Sequence, residues 1–225
     1  MSDMRIITGV SSPVRLSGDG QYVAAQGTRD GAMFTQEWVM AKIFEGRAYM
    51  ANSGAGTTPV TFAGAYDADA PDLFLHVPAN VLVVPIGIVV KYEAVGTESE
   101  LEVIGLASAT GDSTATGTAL TIVNMRLDAP LSSSCTATGS VDASGITDPH
   151  AGNFVEFWRR GHPLKDTAAT TENDRHEQVY LWNIGDAGFA PIVANGGSLS
   201  VYASSQAGTG FISLAWIELP TSSVS

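Results

Sequence analysis

The sequence predicts an all-β protein, an antiparallel β-sandwich of the jelly-roll type with at most one short helix. Three observations lead to this prediction. Runs of β-branched and aromatic residues recur along the 225 residues, turns rich in Gly, Ser, Thr and Asn separate them, and a single segment has helical spacing. Since sandwiches of about 200–250 residues often form one domain, we predict a single domain over residues 31–225, preceded by an N-terminal arm of residues 1–30.

The predicted strands differ in the position that their sequences indicate. Val81–Tyr92 is long and β-branched, and Pro85 predicts an edge position or a bulge because proline donates no ladder hydrogen bond. Gly210–Leu219 is apolar on both faces, which predicts either a central strand or a face that meets a neighbouring subunit. The other predicted strands are Leu73–Val77, Leu101–Ser108, Thr118–Arg126, Ser134–Val141, Phe154–Arg159, Gln178–Asn183 and Ser198–Ala203.

Three segments lie outside this strand pattern. Phe34–Phe44 has helical spacing and is followed by Gly46 as a C-terminal cap, although a strand is the alternative. The polar, Gly-rich residues 1–30 indicate either an ordered arm that reaches a neighbour or a frayed terminus. The polar run Lys165–His176 indicates either a functional loop or a disordered insertion.

The charge balance excludes some classes of function. A net charge of −12, from 11 Lys and Arg against 23 Asp and Glu, argues against a general nucleic-acid binder.

The most apolar stretch, Val81–Val90, is far shorter than the ~20 residues of a membrane-spanning helix. The first residues lack a secretion signal, which predicts synthesis in the cytoplasm. Only 15% of the residues are charged, so either other subunits cover part of the surface or Ser and Thr supply a neutral one.

The motifs predict no catalytic residue, no cofactor and no metal ion. Asp67, Asp69 and Asp72 supply three carboxylates for Ca²⁺, but a solvated acidic turn fits them better because the rest of a calcium loop is missing. Cys135 has no basic neighbour and is predicted to be a small buried residue. The histidines have no metal-binding spacing; they are His76, His150, His162 and His176. A pair of carboxylates that hydrolyses sugars is not excluded by the sequence, since such residues need not be sequence neighbours.

Large aromatic residues and one arginine pair are candidates for subunit contacts. The aromatic side chains of Trp158, Tyr180, Trp182 and Trp216 indicate either core and subunit contacts or, together with Tyr202, a sugar-stacking face. Arg159 and Arg160 are the only consecutive basic residues, and they indicate either a salt bridge to an acidic neighbouring subunit or a solvated strand end. The candidate subunit-interface residues are therefore Trp158, Arg159, Arg160, Tyr180, Trp182 and Trp216.

Several stretches past residue 30 form a pattern that contains no chemical motif. They are Gly31–Gly46 with its Glu-Gly-Arg end at residues 45–47, Thr57–Phe62, His76–Pro78, Gly117–Thr121, Asn124–Arg126, Glu156–Arg159 and Ala215–Pro220. Together these stretches resemble uncharacterised virion proteins of tailed bacteriophages that are often encoded with capsid genes.

The resemblance implies a non-enzymatic jelly-roll subunit of the virion, assembled in the host cytoplasm. The expected role is that of a capsid decoration or cement protein that associates with itself, for example as a homotrimer, and with the major capsid protein or other virion proteins. No direct contact with nucleic acid or membrane is expected. One alternative is a tail or fibre component that binds host glycans through exposed aromatic side chains. A second alternative is a glycan-active enzyme with dispersed carboxylates.

Overall fold

A computed structural model describes residues 37–95, 100–129, 131–163, 179–204 and 208–223 as two antiparallel sheets that share one large apolar core. The strands are β1 (Ala48–Ser53), β2 (Val60–Thr61), β3 (Leu73–His76), β4 (Val81–Val95), β5 (Glu100–Ser108), β6 (Thr118–Ala119), β7 (Ile122–Asn124), β8 (Thr136–Gly139), β9 (Phe154–Pro163), β10 (Val179–Asn183), β11 (Val193–Ala194), β12 (Ser198–Ser204) and β13 (Gly208–Pro220). The helices are α1 (Trp38–Phe44) and α2 (Ile184–Ala187), with 3₁₀ turns at Pro149–Ala151 and Thr221–Ser223. The sequence predicted one helix, and α2 is an additional single turn.

The strand pairing follows the nested order of a jelly roll. Sheet I has the order β10-β4-β13-β1-β7, with β11 beside β4 and β2 beside β13, and sheet II has the order β6-β8-β3-β12-β5-β9. If the short strands are set aside, the first long strand pairs with the last, β1 with β13, and the pairs β3 with β12, β4 with β10 and β5 with β9 follow inward. A long antiparallel hairpin folded over itself gives this order, so the predicted β-sandwich is confirmed and its topology is that of a jelly roll.

Strand β4 contains the bulge that Pro85 predicted, but it is not an edge strand. The register with β13 shifts where Trp216 pairs with Pro85 and Ala215 pairs with Gly87. The extra residue lets Val83 and Ile88, five positions apart, both face the core. On the other side of β4, β10 ends opposite Gly87 and β11 lies opposite Val83. Pro85 therefore lies where no ladder partner needs its missing N–H, although β4 has strands on both sides.

Helix α1 explains why β13 is apolar on both faces. Strand β13 lies between β4 and β1, and its Leu214 and Trp216 face the main core. Its Ile217 faces outward and packs under Val39 and Ile43 of α1. The helix ends before Gly46, which has φ +71° as a C-terminal cap requires. The predicted helix is confirmed over Trp38–Phe44, and β13 is central.

Several predictions fall outside the described residues. These are the N-terminal arm, the loop Lys165–His176, and the side chain of His162. The single domain over residues 31–225 also stays a prediction. Among the strands, β1, β2 and β11 were not predicted, because they contain few β-branched or aromatic residues or are only two residues long.

Candidate interaction surface

The four aromatic interface candidates lie inside the subunit. Trp216 is fully buried, and Trp158, Tyr180 and Trp182 are 5–8% exposed within the main core. Trp182 makes an edge-to-face contact with Phe157 at 5.0 Å between ring centroids. Because these side chains already fill the space between the two sheets, they offer almost no surface to a partner. Tyr202 is 2% exposed, so these five residues do not form a sugar-stacking face on the surface.

The two arginine candidates stay at the surface of β9. Arg159 donates from Nε and Nη2 to the Glu156 carboxylate at 2.6 and 2.7 Å, and from Nη1 to Glu102 at 2.7 Å. These hydrogen bonds, that to Glu156 above all, raise the pKa of Arg159 and lower that of Glu156. Arg160 is exposed. Both carboxylates that neutralise Arg159 come from this chain, and contact with another subunit stays a prediction.

The two long sides of the sandwich, where the edges of the sheets meet, are closed differently. On the side of β7 and β8, the chain after β7 folds back over a cleft of about 560 Å³. Tyr49 Oη donates to the carbonyl of Ser132 at 3.3 Å, and Asn124 Nδ2 donates to Gly46 O at 2.8 Å. The buried Glu218 accepts from the Ser133 hydroxyl, from Ser134 N at 3.0 Å and from Trp216 Nε1 at 2.9 Å. We call this side, held by hydrogen bonds to buried groups, the polar seam.

The opposite side lies between the start of β9 in sheet II and the start of β11 in sheet I. A cleft of about 390 Å³ opens here, and none of the ten residues that line it is charged. Phe154 and Val155 are 49% and 48% exposed, and Ile192 is 63% exposed beside Pro191. We call this side the apolar seam, and it consists of Phe154, Val155, Pro191 and Ile192.

Asp72 differs from the solvated turn that the sequence predicted. Asp67 is exposed and accepts from Asp69 N at 3.1 Å, as a solvated turn requires. Asp72, in contrast, is 4% exposed and accepts from Ala63 N at 3.0 Å and Ala203 N at 2.7 Å. Burial raises its pKa to about 6, although the two N–H donors oppose the shift. This carboxylate therefore joins strand β12 to the segment after β2, and the prediction of a solvated Asp72 is wrong.

A second polar group that sequence reasoning missed lies beside the apolar seam. His150 Nδ1 lies 3.0 Å from Asp148 Oδ1, and Nε2 lies 3.1 Å from Tyr66 Oη. The imidazole also contacts the Phe154 ring edge-to-face, at 4.4 Å between centroids. Burial, followed by the charge of Asp148, raises the pKa of the Tyr66 phenol. Asp148 also accepts from His150 N at 2.8 Å, so the arrangement fixes the turn at Pro149–Ala151.

The remaining candidates for a chemical role are Cys135, His76 and a possible metal-binding group. Cys135 is buried, and burial together with Glu218 raises the pKa of its thiol, so the predicted small buried residue is confirmed. His76 is partly buried, and burial lowers its pKa. In the part of the chain that the structure describes, no three His, Cys, Asp or Glu side chains come together as a metal-binding group.

Exposure of Phe154, Val155 and Ile192 was not predicted from the sequence. The run Phe154–Arg159 is rich in aromatic residues, which indicates a strand but not which of its side chains the second sheet covers. The alternation is broken as well, since Phe157 and Trp158 are both buried at a bulge opposite Gly105 and Leu106. Ile192 lies in a loop, where periodicity gives no signal.

Comparisons with protein-family models, with curated proteins and with solved structures give no match. The strand order places the chain in the class of jelly-roll β-sandwich proteins. The resemblance to bacteriophage virion proteins stays a prediction. None of the helices within the described ranges is long and apolar enough to cross a membrane.

Proposed function

We propose that this protein is a non-enzymatic structural subunit of a bacteriophage virion, a capsid decoration or cement protein that associates with itself and stabilises the head. The observation that carries the proposal is the amount of large apolar side chain that the folded subunit leaves exposed. Thirteen such residues among those described are 41–87% exposed. Several lie side by side, on α1, along the chain after β7 and in the apolar seam. Contiguous apolar patches of this kind mark surfaces that other proteins cover.

Two further features support an assembly role. The jelly roll is a fold that virus shells use repeatedly, although the fold alone does not fix a function. The polar groups of the described surface that look most like catalytic ones, Tyr66, His150 and Asp148, hold a turn in place.

Antibody labelling of virus particles tests this proposal. An antibody raised against the purified protein is applied to particles from the culture that produces it, and gold-labelled sites are located by electron microscopy. Label distributed over the heads is the expected result. Label confined to tails or fibres would favour the glycan-binding alternative, and binding of the purified protein to host-cell polysaccharide would then be measured. Particles that carry no label, from a culture in which the protein is made, would contradict a virion role.

A further inference from the structure

We propose that the apolar seam (Phe154, Val155, Pro191 and Ile192) is the surface through which one copy of this chain binds a second copy. This inference rests on the proposed function, because it names the surface used for self-association. It concerns a different surface from the aromatic residues and arginines that the sequence indicated.

The first argument is the shape and chemistry of the seam. Three exposed apolar side chains, Phe154, Val155 and Ile192, line one cleft between the two sheets. At about half exposure each, they present roughly 300 Å² of apolar surface. A stable interface buries ~800 Å² on each partner, with an apolar centre and a polar rim. The seam therefore supplies less than half of such an interface, and a dimer at this site must also bury the surrounding strand ends, which would form its rim.

Two polar groups of the seam are already satisfied within the subunit. Ser108 Oγ donates to the carbonyl of Pro149 at 2.5 Å, and the carbonyl of Asn153 accepts from Ala109 N at 2.8 Å. A partner that covers the seam does not need to supply hydrogen bonds to these two groups. The polar seam differs, because its cleft includes Ser132, Ser133 and Thr136 and the charged pair Arg126–Asp128 flanks its most exposed residue, Leu127.

The second argument is charge, and it favours a second copy as the partner. Each chain has a net charge of −12, so two copies repel one another at any face that carries acidic groups. The ten residues that line the seam cleft contain no charged side chain. A basic partner would be drawn to the acidic surface, whereas a copy with the same charge can approach closely through an uncharged cleft. The lining of the polar-seam cleft is uncharged as well, but the chain itself folds back over that cleft.

The third argument is the position of β9 at the end of its sheet. Among the described residues β9 pairs only with β5, so no strand within those ranges lies beside its other edge, next to Phe154 and Val155. Unpaired strand edges are sites at which another chain can add a strand. Association at the seam would cover this edge together with the apolar side chains.

The test is the mass of the purified full-length protein in solution, measured by light scattering behind a sizing column at several NaCl concentrations. We expect a mass that is a multiple of 23.4 kDa and that is favoured by higher NaCl, because salt screens the repulsion between two acidic chains. The double variant V155D/I192D places two carboxylates in the seam and should shift the mass to 23.4 kDa. The matched control Leu181→Asp changes a side chain of similar exposure, 51%, outside the seam and should keep the wild-type mass.

A second variant keeps the inference testable if the double variant does not fold. Ile192→Cys should form a disulfide-linked dimer on mild oxidation, whereas Leu181→Cys should not. The inference is overturned by a wild-type protein of single-chain mass at all NaCl concentrations, or by a folded V155D/I192D variant with the wild-type mass. An oligomer that NaCl dissociates and that Arg159→Ala abolishes would also overturn it, in favour of the arginine contact. Head labelling of virions by a protein that is monomeric in solution would overturn this inference and the self-association, while leaving the proposed role on the virion head in place.

Discussion

The two seams of the sandwich solve the same problem in different ways. A β-sandwich is open along the two sides where its sheets meet, and both openings expose core side chains unless something covers them. At the polar seam the chain covers the opening itself, with a loop fixed by Glu218, Tyr49 and Asn124. At the apolar seam Phe154, Val155 and Ile192 stay half exposed. The comparison teaches that hydrogen bonds to buried polar groups hold a covering loop over one opening, although Val123, Leu127 and Leu131 stay exposed there. At the other opening, nothing among the described residues covers the apolar side chains in this way.

Removing the anchor of the polar seam should have the largest effect on stability. Glu218 is 7% exposed and accepts from Ser133, Ser134 and Trp216. Glu218→Ala leaves the buried indole N–H of Trp216 and two partly buried donors without an acceptor. We expect it to lower the free energy of unfolding by about 3–4 kcal/mol in urea titrations.

Two control variants sharpen this expectation. Glu218→Gln keeps an acceptor oxygen, so it should lower the free energy of unfolding by less than Glu218→Ala does. Glu93→Ala removes an exposed carboxylate from β4 and should change stability by less than about 0.5 kcal/mol. Equal losses for Glu218→Ala and Glu93→Ala would show that the polar seam is not held by its buried carboxylate.

The second expected effect is a pH dependence that comes from Asp72, a buried carboxylate that belongs to neither seam. Its folded-state pKa is raised to about 6 from 3.8, so the folded protein holds this proton more tightly than the unfolded chain. The stability from Asp72 is therefore fully present below about pH 3.8 and is lost as the pH rises through about 6. A shift of about two units corresponds to roughly 3 kcal/mol.

Comparison with Asp72→Asn isolates this contribution, because other carboxylates act in the opposite direction. The pKa of Asp112 is lowered to about 2 by hydrogen bonds from Thr114, so its stabilisation is lost as the pH falls below 3.8. The unfolding free energy of wild type relative to Asp72→Asn should decrease between pH 4 and pH 7. A difference that is constant over this range, or that increases, would contradict the raised pKa.

Asp72 also shows where prediction from the sequence ends. Three acidic residues within six positions indicate a solvated turn, and that is right for Asp67. Ala203, whose N–H binds the Asp72 carboxylate, lies 131 residues further along the chain. Only the pairing of β3 with β12 brings the two together. Pairing between distant strands is set by the whole fold, so no local pattern could have revealed it.

The strands also divide into those that their own sequence predicts and those that depend on the rest of the fold. Runs of Val, Ile and Leu in β4 and β13 need no context to be recognised, and their bounds agree with the prediction within a few residues. Strand β1, with the sequence AYMANS, has little β propensity, and it forms a strand because β13 and β7 pair on either side of it. Trp158 and Trp216 were recognised as important large residues, but the sequence could not decide between core and interface.

A glycine at the end of α1 gives a smaller effect and probes the contact between this helix and the polar seam. Gly46 has φ +71°, and a Cβ atom there would lie 2.9 Å from Cβ of Ala129. Gly188 has φ +73° with no atom within 4 Å of such a Cβ, so it is a matched control for backbone strain alone. We expect Gly188→Ala to lower stability by about 1 kcal/mol and Gly46→Ala by about 2 kcal/mol. Equal losses in thermal or urea unfolding would mean that Ala129 moves away without penalty.

The smallest expected effect belongs to Arg159, the charged residue that the sequence singled out most clearly. Its guanidinium pairs with Glu156 and Glu102, but its side chain is 47% exposed, so solvent and salt weaken both interactions. Arg159→Ala should therefore lower the unfolding free energy by less than about 1 kcal/mol, and 0.5 M NaCl should reduce this difference further. The mass in solution should not change, because the two partners of Arg159 belong to the same subunit. If Arg159→Ala dissociates the oligomer, the arginine pair contacts a neighbour, and the division between a self-completed seam and an open seam does not locate the interface.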